Sequence, residues 1–138
     1  MRKQFEERIA SLALHHVTIV TAWLRIEDYP HMLASADIGV SLHLSSSGLD
    51  LPMKVVDMFG CELPVCAVNF PCLHELVKDG ENGRVFDTSE QLHRQLKELL
   101  AGFPESAELK RMRANLSAFT ARGWDVTWRE RARDVFAS

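Results

Sequence analysis

The stretch "SSSGLDLPMKVVDMFGCELPVCAV", Ser45 to Val68, decides the fold. It opens with three serines and a glycine, turns helix-like at Pro52, and closes in the apolar run "LPVCAV". Pro52 suits the first helical position, where its missing N–H costs nothing, and the helix is expected to run to about Gly60. Pro64 to Val68 lacks polar alternation, which predicts a strand buried on both faces. A loop, a helix and a buried strand in that order form one α/β unit.

Working outward, Ile38 to Leu42, "IGVSL", reads as the strand before this unit, and residues 43–51 as the loop between them. Val17 to Leu24, "VTIVTAWL", is rich in β-branched residues and also reads as a strand. Arg2 to Leu14 carries Phe5, Ile9 and Leu12 at helical spacing. Glu27 to Ala36 reads as a short helix that keeps Pro30 in its first turn. Downstream, a helix is expected around "CLHELVKDG" (residues 72–80), turns at Asp79-Gly80 and Glu81-Asn82-Gly83, and a short edge strand at 84–86. From Ser89 the chain reads as helical, with Trp124 and Trp128 one turn apart as a core-facing stripe of the last helix. Strands alternating with helices predict an α/β domain with a parallel sheet flanked by helices.

Composition excludes several classes. The chain has 138 residues, 46% hydrophobic and 25% charged, with a net charge of -3 spread along its length. That balance argues against nucleic acid as a partner, since such proteins show a basic face. The longest apolar runs fall well short of the roughly 20 residues a membrane helix needs, so no membrane segment is expected. The charged start "MRKQFEERIA" is not a secretory signal. Cys61, Cys66 and Cys72 read as reduced thiols in or near the core. Their spacing does not suit zinc, and no metal site or cofactor is expected. "SSSG" is not the G-x-S-x-G of a nucleophile elbow, so a serine hydrolase finds no support.

In a parallel sheet, ligands bind where strand ends lead into helix N-termini, which is where residues 43–51 lie. The N–H groups and dipole at such a helix start favour a phosphate. Gly48 allows close backbone approach, and Ser45, Ser46 and Ser47 add hydroxyls. A carboxylate such as Asp57 accepts two hydrogen bonds from a vicinal diol, so loop, helix and acid together suit a nucleoside diphosphate. The same residues also read as a capped helix with a solvated Asp57.

The order of residues adds a resemblance. "PMKVVDMFGCELPV" resembles the donor-site helix of the GT-B glycosyltransferases, whose pattern is P-x-K-x-x-E-(Y/A)-M-A-x-G-x-P-V. "LHELVKDGENGRVF" resembles the element that follows it there. The chain from Trp23 to Phe86 is more closely similar to the β-1,4-mannosyltransferases of dolichol-linked oligosaccharide synthesis. The resemblance implies a single, incomplete, Rossmann-like donor-binding domain over residues 1–138, with C-terminal helices over 89–136. It implies GDP-mannose as donor and a lipid-linked chitobiose as acceptor, the latter bound only through a second domain. Asp57 would hold the ribose, and Ser46, Ser47, Gly48, Leu49, Asp50 and Leu51 would lie along the sugar and diphosphate. Asp50 stands one residue closer to Asp57 than the first of the family's paired acids stands to the second, and it reads equally as the helix N-cap. Lys54 would reach a phosphate or face solvent. Glu75 would touch the donor or face water, and His43 is a site or loop residue.

The resemblance also carries expectations of loss. The acceptor domain, a membrane anchor and two sheet strands would precede Met1, leaving the sheet with open edges or with strands 17–24 and 38–42 paired. The isolated chain would then bind nucleotide weakly and transfer sugar poorly. A cytosolic site at the endoplasmic reticulum and association with a full-length mannosyltransferase follow from the same resemblance. An inactive, partner-binding paralogue is the alternative, and a UDP-sugar-binding epimerase half is a more distant one. Glu62 stands where the family pattern has glycine. Either the backbone is strained there or Gly60 ends the helix instead.

Overall fold

A computed structural model describes residues 2–136. Its centre is a parallel sheet of three strands, β1 (Gly39–Ser41), β2 (Val65–Val68) and β3 (Gly83–Phe86), in the order β1-β2-β3. Val40 pairs with Cys66, and Cys66 with Arg84. Helix α1 (Arg2–Ser11) and helix α2 (Asp28–Ala34) precede the sheet, and α3 (Met53–Gly60) links β1 to β2. Helices α4 (Ser89–Leu99), α5 (Ala107–Thr120), α6 (Trp124–Arg131) and α7 (Arg133–Phe136) follow it. The α/β class and the parallel sheet are as the alternating pattern requires.

β2 is the central strand, and both of its faces are covered. Val65 and Ala67 join Val55 and Phe59 of α3, together with Leu73, Val77 and Leu116, in one apolar cluster. Cys66 faces the other way, into a cluster of Phe86, Leu99, Leu109 and Met112. Helix α5 contributes to both clusters and so ties the two layers together. Phe59 is fully buried, and its ring meets Phe119 edge-on at 5.4 Å between centroids. Burying such a ring stabilises the fold by about 2–3 kcal/mol. Gly39 lets α3 lie close on β1, because a Cβ there would stand 2.6 Å from the Met58 sulfur. Cys66 and Cys72 are buried, Cys61 is half-buried, and all three are free thiols. Burial pushes the Cys66 thiol up to about 11, so it stays protonated and inert.

Five sequence expectations need correction. Residues 17–24 form no strand. They lie beside α1 outside the sheet, with Val20 and Trp23 exposed and the Thr21 hydroxyl donating to Glu6 at 2.6 Å. Their β-branched side chains favour extended backbone, but a strand also needs a partner, and β1 pairs only with β2. The outer edge of β1 is therefore open among the described residues. Second, the helix expected over 72–80 shrinks to one 3-10 turn, Leu73–Glu75. The buried Asn82 side chain accepts from the Lys78 N–H and donates to the Leu76 carbonyl, which holds the following loop in place of a helix. Third, Trp124 and Trp128 do not face the core, because α6 buries no residue. Their rings stack on each other at 5.4 Å, and Trp128 stacks on Phe136. Last, α1 stops at Ser11 rather than Leu14, and Pro52 is the N-cap of α3 rather than its first residue.

Helix α3 ends on a non-glycine residue in the left-handed region. Glu62 has φ 55°. The Glu62 N–H bonds the Phe59 carbonyl at 3.0 Å and the Leu63 N–H bonds the Met58 carbonyl at 2.9 Å. This pair of bonds is a Schellman cap, which favours glycine at the position Glu62 holds. Gly60 is the last helical residue and is not the terminator. A Glu62 carboxylate oxygen accepts from the Ser117 hydroxyl at 3.1 Å, an exposed bond that offsets little of the backbone strain. Glu62→Gly is therefore expected to stabilise the chain by about 0.5–1 kcal/mol, raising Tm by roughly 2–4 °C in a thermal melt. An unchanged or lower Tm would contradict the strain.

Candidate functional site

The carboxyl ends of β1 and β2 open on the same edge of the sheet, and the loop at 43–51 lies there. His43, just past β1, packs edge-on against Phe70, just past β2, at 6.0 Å between ring centroids. Gly48 adopts φ 76°, the left-handed conformation that reverses the loop, close to Pro71. Leu51 packs against the core cluster under α3 and anchors the loop's end. Ser46, Ser47 and Leu49 remain exposed.

Asp50 organises this loop. Its Oδ1 accepts from the Ser45 and Ser47 hydroxyls, the latter at 3.1 Å, and its Oδ2 lies 3.0 Å from His43 Nε2. The Ser47 hydroxyl also accepts the Leu49 N–H at 3.2 Å. Asp50 is thus not the N-cap of α3, which has no side-chain cap. Its carboxylate is spent on the loop itself, which leaves the N–H groups at the start of α3 uncapped by any side chain. Hydrogen bonds from Ser45 first, then from His43 and Ser47, hold the Asp50 carboxyl below the usual carboxylate range, against a smaller desolvation effect.

The other acid of the pair has different neighbours. Asp57 is exposed on α3 and lines a cavity of about 270 Å³ with Tyr29 and Leu33 of α2 and Cys61. Cys61 anchors α3 to α2 through a long contact from its sulfur to the Pro30 carbonyl, 3.6 Å. The structure therefore brings Ser45, Ser47, Asp50 and His43 into one network and sets Asp57 against α2. Lys54 is exposed on the first turn of α3 and forms no ion pair among the described residues. Glu75 is exposed on its 3-10 turn. That Tyr29 lines this cavity with Asp57 was not legible in the sequence, because no spacing rule links residue 29 to residue 57. The Asp50–His43 contact had only the position of His43 at a strand end to suggest it. Among the described residues no group of three or more His, Cys, Asp or Glu side chains is placed to hold a metal ion.

The family profile described as "Glycosyl transferases group 1" matches residues 1–102. The chain is 52% identical over 138 residues to the chitobiosyldiphosphodolichol beta-mannosyltransferase of Mus musculus, covering 99% of this chain and 29% of that protein. It is 55% identical over 129 residues to the Homo sapiens protein of the same name, covering 93% of this chain and 28% of that protein. It is 51% identical over 136 residues to the UDP-glycosyltransferase TURAN of Arabidopsis thaliana, covering 97% of this chain and 29% of that protein. No solved structure matches. The parallel sheet flanked by helices, with a loop and helix start at its carboxyl edge, is consistent with the Rossmann-like GT-B fold. The chain belongs to the group 1 glycosyltransferases. It spans less than a third of the length of these relatives.

Because the Asp50 carboxyl is held low, the order it gives the loop is complete above the ordinary carboxylate range and is lost only as pH falls through the lowered value. An NMR acid titration is expected to show amides 45–50 moving together below the ordinary Asp midpoint. Ser45→Ala is expected to shift that midpoint upward. A Ser45→Ala midpoint equal to that of the parent chain would contradict the network.

Proposed function

We propose that this chain is the donor-binding portion of a mannosyltransferase, one incomplete GT-B domain that takes GDP-mannose. In the complete reaction the mannosyl group passes to a lipid-linked chitobiose held by a second domain. The observation that carries the reading is the Asp50-ordered loop at the carboxyl edge of the sheet, set before an uncapped helix start and followed on that helix by Asp57. The names of the mouse and human relatives support the sugar and the acceptor. In this reading Ser46, Ser47, Gly48, Leu49 and Leu51 lie along the donor and Asp57 takes the ribose hydroxyls. Lys54 approaches a phosphate. Asp50 holds the loop in shape and contacts the sugar through its remaining lone pairs.

The names of those relatives also support a place at the endoplasmic reticulum, and we assign the chain to its cytosolic side. No helix among the described residues is long and apolar enough to cross a membrane. A full-length mannosyltransferase is the partner we propose. One observation favours a second reading, in which the chain acts by association rather than catalysis. The open edge of β1, with Val40 and Leu42 exposed beside it, suits pairing with a strand of another chain.

Calorimetric titration tests the first reading. The chain is expected to bind GDP and GDP-mannose weakly but more tightly than UDP-GlcNAc, and Asp57→Ala to lose at least about 10-fold in affinity for GDP. Equal binding of all three nucleotides, or an Asp57→Ala variant as tight as the parent, would overturn it. Light scattering tests the second: an open β1 edge predicts self-association or capture of a full-length relative. A monomer that ignores the full-length enzyme would sink it.

A further inference from the structure

The two edges of the sheet are finished differently. On the outer side of β3 the backbone groups are taken. The Val85 N–H donates to Asp79 Oδ1 at 2.8 Å, the Val85 carbonyl accepts from Gln95 Nε2 at 2.8 Å, and the Gly83 carbonyl accepts from the Gly80 N–H at 2.8 Å. That edge is closed to a further strand. On β1 the Gly39 N–H donates to the Pro64 carbonyl at 2.8 Å, so Gly39 and Ser41 turn their backbone groups toward β2 and Val40 between them turns its own outward. Among the described residues neither Val40 nor Leu42 makes a backbone hydrogen bond on that outer side. The run Ile38 to Leu42 also lacks the charges and prolines that keep sheet edges apart.

We propose that the occupant of this edge is a second copy of the chain: two β1 strands pair antiparallel across a two-fold axis at Val40 and join two sheets into one. This rests on the association reading given above and names its partner. The pattern of residues along the edge is complementary to itself. With the axis at Val40, that residue exchanges both backbone hydrogen bonds with its own copy, and Ile38 stands opposite the second copy's Leu42. Ile38 packs against the cluster around Cys66, and Val40 lies beside Cys66 in register, so 38, 40 and 42 share one face. Val40 and Leu42 are exposed there, and the pairing runs a single apolar stripe across the axis. One step further out, the exposed Asp37 comes opposite the second copy's His43, an acid against a base at both ends of the ladder. No charge on the edge meets its like.

The test is light scattering of the full chain over a concentration series, with Val40→Pro and Val40→Lys beside it. The parent is expected to pass from the mass of one chain to that of two as concentration rises. Val40→Pro removes an N–H that points away from β2, and Val40→Lys sets two ammonium groups against each other on the axis. Neither variant removes a bond within the sheet of one chain, and circular dichroism with Tm checks that each is folded. Dimerisation is expected to weaken at least about 10-fold in Val40→Pro and at least about 3-fold in Val40→Lys. Isotope-filtered NMR on a mixture of labelled and unlabelled chain is expected to show the Gly39 α-protons of one copy against the Ser41 α-proton of the other. A dimer equally stable in the parent and both variants, or contacts that do not join 39 to 41, would overturn the self-pairing. A chain that stays monomeric up to about 1 mM but captures a full-length mannosyltransferase would leave the association reading standing and overturn this inference alone. A monomer that captures nothing would overturn both.

Discussion

The constraint on which this structure depends is the burial of β2. Val65, Cys66 and Ala67 are shut off from water on both faces of the sheet, and their backbone groups are paired with β1 on one side and β3 on the other. A strand with no solvent face has only one register that keeps both clusters filled, because a slip of one residue exchanges its two faces. Fixing β2 fixes the end of α3 through Leu63, and fixes the body of α3 through Val55 and Phe59. The start of α3 then stands at the carboxyl edge of the sheet. The site is a consequence of that packing.

The loop before α3 works against its own composition. Three serines and a glycine would ordinarily leave a mobile segment. Here Asp50 gathers two of the serine hydroxyls and His43, while Leu51 and the His43–Phe70 contact anchor the loop's two ends to the core. Order is thereby placed in the loop by its own side chains, while Ser46 and Leu49 stay exposed. Under the proposed function, an uncapped helix start next to an ordered loop would be an anion seat prepared in advance, and less entropy would be lost when a diphosphate binds.

Much of this was legible in the residues. The runs at 38–42, 64–68 and 84–86 hold strands because each carries β-branched or other large apolar residues and each finds a partner in the sheet. Pro52 and Gly60 bracket α3 to within a residue, since proline and helix ends obey local rules. What failed was non-local. "VTIVTAWL" has the composition of a strand but no neighbour to bond, so composition misleads there. "CLHELVKDG" has helical spacing, but the side chain of Asn82 takes the backbone groups a helix would need. The Trp124–Trp128 spacing is that of a buried stripe, but among the described residues the two rings stack on each other and on Phe136 rather than on the core. At the site, both acids were visible, but their neighbours were not. The His43–Asp50 contact and the cavity that Tyr29 shares with Asp57 arise from crossings that sequence spacing does not encode.

The central claim is that the carboxyl edge of the sheet, from Ser45 to Asp57, is the place where a sugar nucleotide binds. Its most direct test is a backbone NMR shift map of the isotopically labelled chain with GDP-mannose added. The account predicts perturbations concentrated on residues 45–57 and on Tyr29. Perturbations confined instead to the hollow between α1 and residues 19–23, or spread without focus, would contradict it.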